Sequence, residues 1–352
     1  MPRPGVTAII LHPTAAADAD SLVAAVGTAR GRLAELHRAA FLAAGAARAT
    51  VIAGPPDGLA FGARLRAIAT DLPSGGGLVV LGSGAVPLAT RRDRARFIEA
   101  AAGGAGGRAL ANNRYSADIV AVPDARRVLA DVPDLTTDNA LPRWLVDVAG
   151  LPVDDLAGQW RLAMDLDTAL DLLLLGEPWA GGLASADRAM VADRIDRLRA
   201  VVRDPRAELL VAGRSNPATL TWLSGATASR TRALIEERGL RTSVAGQRPP
   251  ASVLGLLLER DGPTALGDHL ARLCDAAIID TRVLLAHRLG ADPAGWPSDE
   301  ERFASDLLLH ERVGDPWLRD LTRAAADAPV PVLLGAHSLV GPGLRLAVRH
   351  RP

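Results

Sequence analysis

The sequence predicts an α/β protein: a parallel-rich sheet with helices on both faces over residues 1–175, followed by a mainly helical region over 176–352. Three observations carry this. Short β-branched and aliphatic runs alternate with segments of helical period in the first half, and the loops between them are short and rich in Gly and Pro. All six tryptophans lie at or beyond Trp144, so the two halves are built differently. At 352 residues the chain is long enough for two cores.

Taken in order, Val6 to Leu11 reads as the first strand, closed by His12, Pro13 and Thr14. Leu22, Val26, Leu33, Leu36 and Phe41 then follow helical spacing up to Gly45, a C-terminal cap. Ala49 to Ala53 is a second strand, and Leu59, Phe61, Leu65 and Ile68 mark a helix leading through a Gly-rich turn into a third strand, Leu78 to Leu81. In a parallel sheet of this kind ligands lie beyond the carboxyl ends of the strands, which places His12 to Thr14, Gly54 to Gly58 and Gly82 to Thr90 at the expected site. A helix from Arg91 to Ala102 follows.

The stretch ALANNRYSADIVAVP, Ala109 to Pro123, sets Asn112, Asn113, Arg114, Tyr115 and Ser116 directly before the apolar run Ile119 to Val122, and Tyr115 is the only tyrosine. Two readings fit. An amide-rich loop feeding a buried strand is a place for a small-molecule site, and a polar turn whose Asn and Asp side chains satisfy their own backbone has the same composition.

In the second half, Ser185 to Val202 is an amphipathic helix, and Leu209 to Ala212 a strand. Ser215 or Asn216 then caps a helix opened by Pro217. Gln247-Arg248-Pro249-Pro250 reads as a break before long helical segments to about Leu289, with Asp280 and Arg282 as a buried polar tie. His269 and Cys274 are five apart, out of phase on one helix, and lack a second ligand pair for zinc. Trp296 to Glu301 opens a capped helix, Val330 to Leu334 is a strand, and Leu344 to Val348 reads as the last strand.

Forty acidic and forty basic residues cancel, which predicts no attraction to nucleic acid or an anionic membrane. Every basic residue is arginine; with no lysine, Schiff-base chemistry and a phosphate-loop lysine are excluded. A single cysteine, Cys274, forms no internal disulfide. The N-terminal apolar run is too short for a signal peptide core and none approaches a membrane span, so a cytoplasmic protein is expected.

Gly84-Ala85-Val86-Pro87-Leu88-Ala89-Thr90 resembles the G-D-x-P-L-L-T turn of GT-A-like nucleotidyltransferases, among them the molybdenum-cofactor and phospholactate guanylyltransferases. Asp165-Leu166-Asp167-Thr168-Ala169-Leu170-Asp171-Leu172 is similar to the D-x-D-T-P-E-D-L segment that closes that domain. Arg30-Gly31-Arg32-Leu33 is similar to a K-x-R-L motif, and the Asn112 to Asp118 loop stands where those enzymes have their substrate loop. The resemblance covers the first half only. It implies a nucleotide or sugar nucleotide as ligand, a small-molecule acceptor, magnesium held by Asp165 and Asp167 as the catalytic carboxylates, and substrate contacts from His12, Thr14, Arg32, Pro87 and Asn112 to Ser116. The second half would shape the acceptor site or a homodimer interface.

The departures are specific. Ala85 stands where the family's turn carries a magnesium-binding aspartate, and a methyl group cannot ligate a hard cation. No Gly-rich, lysine-bearing loop follows the first strand; Arg30 or Arg32 is either a replacement charge, by bidentate contact with phosphate, or a solvated arginine on a helix surface, and the second reading is the commoner one. Asp165 also has a structural reading, as has Asp167, because Asp167 or Thr168 precedes a helix and Asp171 completes a capping-box spacing. A scaffold that kept the fold without the chemistry, or a glycosyltransferase using the same fold, are the alternatives.

Overall fold

The computed structural model describes residues 5–236 and 249–349. It divides into two compact units, Met1–Asp18 with Gly27–Leu166, and Ala19–Val26 with Asp167–Pro352. Both are α/β.

The first unit runs β1 (Val6–Pro13), α1 (Ser21–Ala43, of which the first residues belong to the second unit), β2 (Arg48–Gly54), α2 (Phe61–Thr70), β3 (Gly77–Gly82), α3 (Arg91–Ala101), β4 (Ala109–Ala111), β5 (Ile119–Val122), α4 (Ala125–Val128), α5 (Leu141–Asp147) and β6 (Val153–Asp155). The strands form one six-stranded sheet in the order β2-β1-β3-β5-β4-β6. It is mixed: β5 is antiparallel to both β3 and β4, and the other pairings are parallel. Reversing β5 lets the short Asn112 to Asp118 segment join β4 to β5, whereas a parallel pair needs a long crossover.

Successive strand residues point to opposite faces, and both faces are covered. Ile9, Leu78, Val80, Val120 and Val122 pack with Leu65 and Ala69 of α2 and with Leu141, Trp144 and Leu145 of α5. Ala8, Ile10, Val79, Leu81, Ile119 and Ala121 pack on the other side with Ala34 and Phe41 of α1 and Phe97 and Ala101 of α3. The predicted three-layer arrangement is therefore present.

In the second unit, α6 (Ala169–Leu175) and α7 (Ser185–Arg203) lead into β7 (Glu208–Gly213), α8 (Pro217–Ala226), β8 (Arg230–Ile235), α9 (Val253–Asp261), α10 (Leu266–Leu273), β9 (Ala276–Asp280), α11 (Thr281–Leu289), α12 (Asp299–Asp306), α13 (Pro316–Ala326), β10 (Val332–Gly335), α14 (His337–Val340) and α15 (Pro342–Val348). Its strands form a wholly parallel sheet, β10-β9-β7-β8. β8 is the largely exposed edge, carrying Arg230 and Arg232, whose charges discourage edge pairing.

This sheet corrects the expectation of a mainly helical second half. The long helical segments expected up to about Leu289 are interrupted by β9, all five of whose residues are buried. A strand covered on both faces has no period-two alternation, so its apolar run reads like a buried helix. The expected strand Leu344 to Val348 is instead α15. Its alternation of Leu, Arg and Leu suggests a strand, but Pro342 at the first helical turn fixes φ for a helix. Of the predicted break, Gln247 and Arg248 lie outside the described residues.

Helix starts follow their local chemistry. Thr90 caps α3, Thr168 caps α6 and Ser298 caps α12, each in a reciprocal capping box with the residue three further on, Asp93, Asp171 and Glu301. Asn216 caps α8 ahead of Pro217. Asp280 and Arg282 are both buried, but Asp280 meets Arg282 only as the cap of α11, through the Arg282 amide at 3.0 Å, and the guanidinium pairs in bidentate fashion with Asp306, which the sequence reading did not name. No helix among the described residues is long and apolar enough to cross a membrane.

Candidate functional site

β1 and β3 are adjacent and parallel, so His12 near the end of β1 and Ser83 after β3 come to the same edge of the sheet. The His12 Nδ1 and Ser83 Oγ are 3.0 Å apart. Burial, then the nearby Arg30 guanidinium, lowers the pKa of His12 below its ordinary value. A neutral imidazole here is able to accept a proton, and Ser83 is buried against it.

The chain then makes the turn predicted from Gly84 to Thr90. Leu166 N donates to Gly84 O at 2.9 Å, and Ala85 and Asp165 form an isolated antiparallel bridge. Arg30 Nε donates to Leu166 O at 2.8 Å from α1. Glycine at position 84 follows from this crowding, since a Cβ there would lie 2.7 Å from Leu166 O and 2.9 Å from Arg30 Nε. Thus two segments some eighty positions apart in sequence, the Gly84 turn and the Asp165 segment, meet beside one arginine.

The turn is held from below by a histidine that sequence reasoning did not single out. His37 is fully buried, and its Nε2 donates to Ala85 O at 2.8 Å. Burial first, and then Arg94, lowers its pKa to about 4, so the ring is neutral; Arg94 Nη2 lies 3.4 Å from its Nδ1. Val86, next in the turn, adopts φ of 44° although it is β-branched. Such a conformation costs on the order of 1–3 kcal/mol and persists only where the surroundings fix it. Pro87 follows it, half-buried.

The loop after β4 reaches the same edge, because β4 runs parallel to β3 across the reversed β5. Asn112 is buried and uses its whole amide internally. Its Oδ1 accepts from Asp118 N at 2.9 Å and Ile119 N at 3.3 Å, while its Nδ2 donates to Asp118 Oδ2 at 2.7 Å and Leu162 O at 2.8 Å. Asn113 Oδ1 accepts from Tyr115 N at 2.9 Å, and Arg114 N donates to Asp155 Oδ2 at 2.8 Å. For Asn112 and Asn113 the structure therefore supplies the self-satisfying turn. Arg114, 5.4 Å from the Tyr115 ring centroid, and the exposed Tyr115 and Ser116 are the outward-facing part of the loop. Tyr115 is 59% exposed.

The remaining expected residues are placed as follows. Thr14 N donates to Gly54 O at 2.9 Å, leaving the residue half-buried at the strand edge. Arg32 is exposed, and Arg30 reaches the Gly84 turn. Asp165 is buried in the first unit. Asp167 begins the second unit and is half-buried, its amide donating to Asp171 Oδ2 at 3.0 Å ahead of the α6 cap. Among the described residues no three His, Cys, Asp or Glu side chains converge as a complete metal ligand set. The buried Cys274 thiol is pushed up to about 11 by its burial, which makes it a poor nucleophile.

No protein-family model matches the chain, and no curated protein or solved structure matches it.

Proposed function

We propose that the first unit is a GT-A-like domain of nucleotidyltransferase type, which binds a nucleoside triphosphate at the carboxyl edge of β1 and β3 and transfers its nucleotidyl group to a small phosphorylated acceptor. One observation carries the reading: the bridge between Ala85 and Asp165 joins the two segments that resemble the family's metal-binding pair. Arg30, anchored beside that bridge, supports it as the fixed positive charge for a phosphate in a protein without lysine. The neutral His12 next to Ser83 is suited to accept the acceptor's proton.

Magnesium would neutralise triphosphate charge in such a reaction. Asp165 is the residue of the first unit that would hold it, and Asp167 follows two positions on. Ala85 offers no ligand. That methyl group favours a second reading, a domain that binds a nucleotide without transferring it.

Isothermal titration of the whole chain with GTP, CTP and ATP, with and without magnesium, separates the two. The transferase reading expects binding that depends on the cation and loses that dependence in Asp165→Asn. Cation-independent binding that survives the substitution supports the binding domain, and no binding of any triphosphate overturns both.

A further inference from the structure

In the second unit the C-terminal ends of α7, α8 and α15 enclose a cleft of about 410 Å³, lined by Val202, Arg203, Ala226, Ala228, Val348 and Arg349. We propose that this cleft binds a small amphipathic anion, an apolar body carrying one carboxylate or sulfonate. The volume lies in the range that houses small ligands. Its wall is aliphatic, two valines and two alanines, and its charged lining residues are both arginine.

Neither Arg203 nor Arg349 makes an ion pair among the described residues, in a unit where most exposed arginines sit beside a carboxylate. Helix C-termini attract cations by their exposed carbonyls, and one arginine here meets that need. Arg199 performs that capping: its Nε donates to Ala347 O at 2.9 Å and its Nη2 to Leu346 O at 3.2 Å, and it also pairs with Asp196. Arg203 and Arg349 side chains make no such carbonyl bond among the described residues. Instead, Arg349 lies 5.5 Å from the centroid of the Trp222 ring and Arg345 lies 4.6 Å from it. Cation–π contact orients both guanidinium groups at low entropic cost. Burial, then the charge of Arg349, lowers the pKa of Arg345, which means that like charges have been gathered here against their repulsion. An anion held at Arg203 and Arg349 relieves that repulsion while its apolar body lies over the exposed Ala226 and Ala228, with the buried Val202 and Val348 as the floor. The wall itself is fixed, since Ala228 N and Ser229 N both donate to Val202 O, at 2.8 and 3.3 Å.

The test is titration of the full chain with octanoate, octan-1-ol and acetate at low ionic strength. Octanoate is expected to bind once per chain, with octan-1-ol and acetate each weaker by about tenfold or more, because each lacks one of the two recognised features. The double variant Arg203→Gln/Arg349→Gln, in exposed positions that fold does not depend on, should lose about the same factor. Ala228→Leu, which fills the cleft without changing charge, should also weaken octanoate binding. Equal affinity for octanoate and octan-1-ol, indifference to both variants, or capture of phosphatidylglycerol vesicles without uptake of free octanoate would each overturn the proposal.

Discussion

Asn112 shows at the residue scale how a polar side chain can be wholly structural. Its four hydrogen bonds close the loop on itself and tie it to Leu162 O. Asn112→Asp replaces two donated bonds by a charge facing Asp118, so a loss of about 2–4 kcal/mol is expected in chemical denaturation, from unmet acceptors and repulsion. Tyr115→Phe, two-fifths buried at most, should change stability by less than about 0.5 kcal/mol. If Tyr115 serves the triphosphate site, the same variant lowers nucleotide affinity in titration by roughly the worth of one hydrogen bond, about 1 kcal/mol. His37 has a different signature. Its folded pKa lies near 4, below the ordinary 6.5, so the unfolded chain takes up the proton first. The stability it lends is whole above pH 6.5 and is lost as pH falls towards 4, by up to about 3 kcal/mol. Denaturant titrations of His37→Gln across that range should show a shallower acid loss.

At the scale of elements, Gly213 ends β7 with φ of 134°, and a Cβ there would collide with the Asp280 side chain at the end of β9. Gly213→Ala is therefore expected to destabilise by more than the roughly 1 kcal/mol usual for a left-handed position, because backbone strain and a clash add. A loss under that figure in urea titration would show that the end of β9 yields. The caps give a milder case. Thr168→Ala removes the acceptor for Asp171 N in the α6 capping box and should cost about 1 kcal/mol. The starts of α6, α8 and α12 were legible in sequence because capping is local: Thr168, Asn216 and Ser298 need only their own next three residues. β9 was not, because its all-buried run acquires its meaning from β7 and β10 on either side.

On the scale of the whole molecule, the two units carry buried ionisable groups of opposite sign. Asp171 is buried in the second unit, and burial first, then the charge of Asp167, raises its pKa to about 6 while Ser338 Oγ donates to it at 2.8 Å. A carboxyl raised in this way lends stability that is whole below about pH 4 and lost as pH climbs through 6, again by up to about 3 kcal/mol. His37 in the first unit has the contrary slope over nearly the same window. Asp171→Asn should therefore steepen the net loss of stability on acidification from pH 6 to pH 4, and His37→Gln should lessen it. Calorimetry of both variants at several pH values checks the pair, and slopes of the same sign would contradict it.

The sequence by itself determined the alternation of strands and helices in the first half, the caps, the strands β1, β2, β3, β5 and β7, and the loops that fall at the carboxyl edge of the first sheet. All of these rest on periodicity or on contacts within a few residues. Only the tertiary structure decided that Ala85 lies beside Asp165, that Arg30 reaches the adjoining Leu166, and that His37 supports the turn from α1. It also decided that the second half encloses a parallel sheet, sets Arg345 and Arg349 at the Trp222 ring, and brings Arg203 and Arg349 to one cleft. Those facts join residues tens to more than a hundred positions apart, and no local pattern records which distant segment will supply a neighbour.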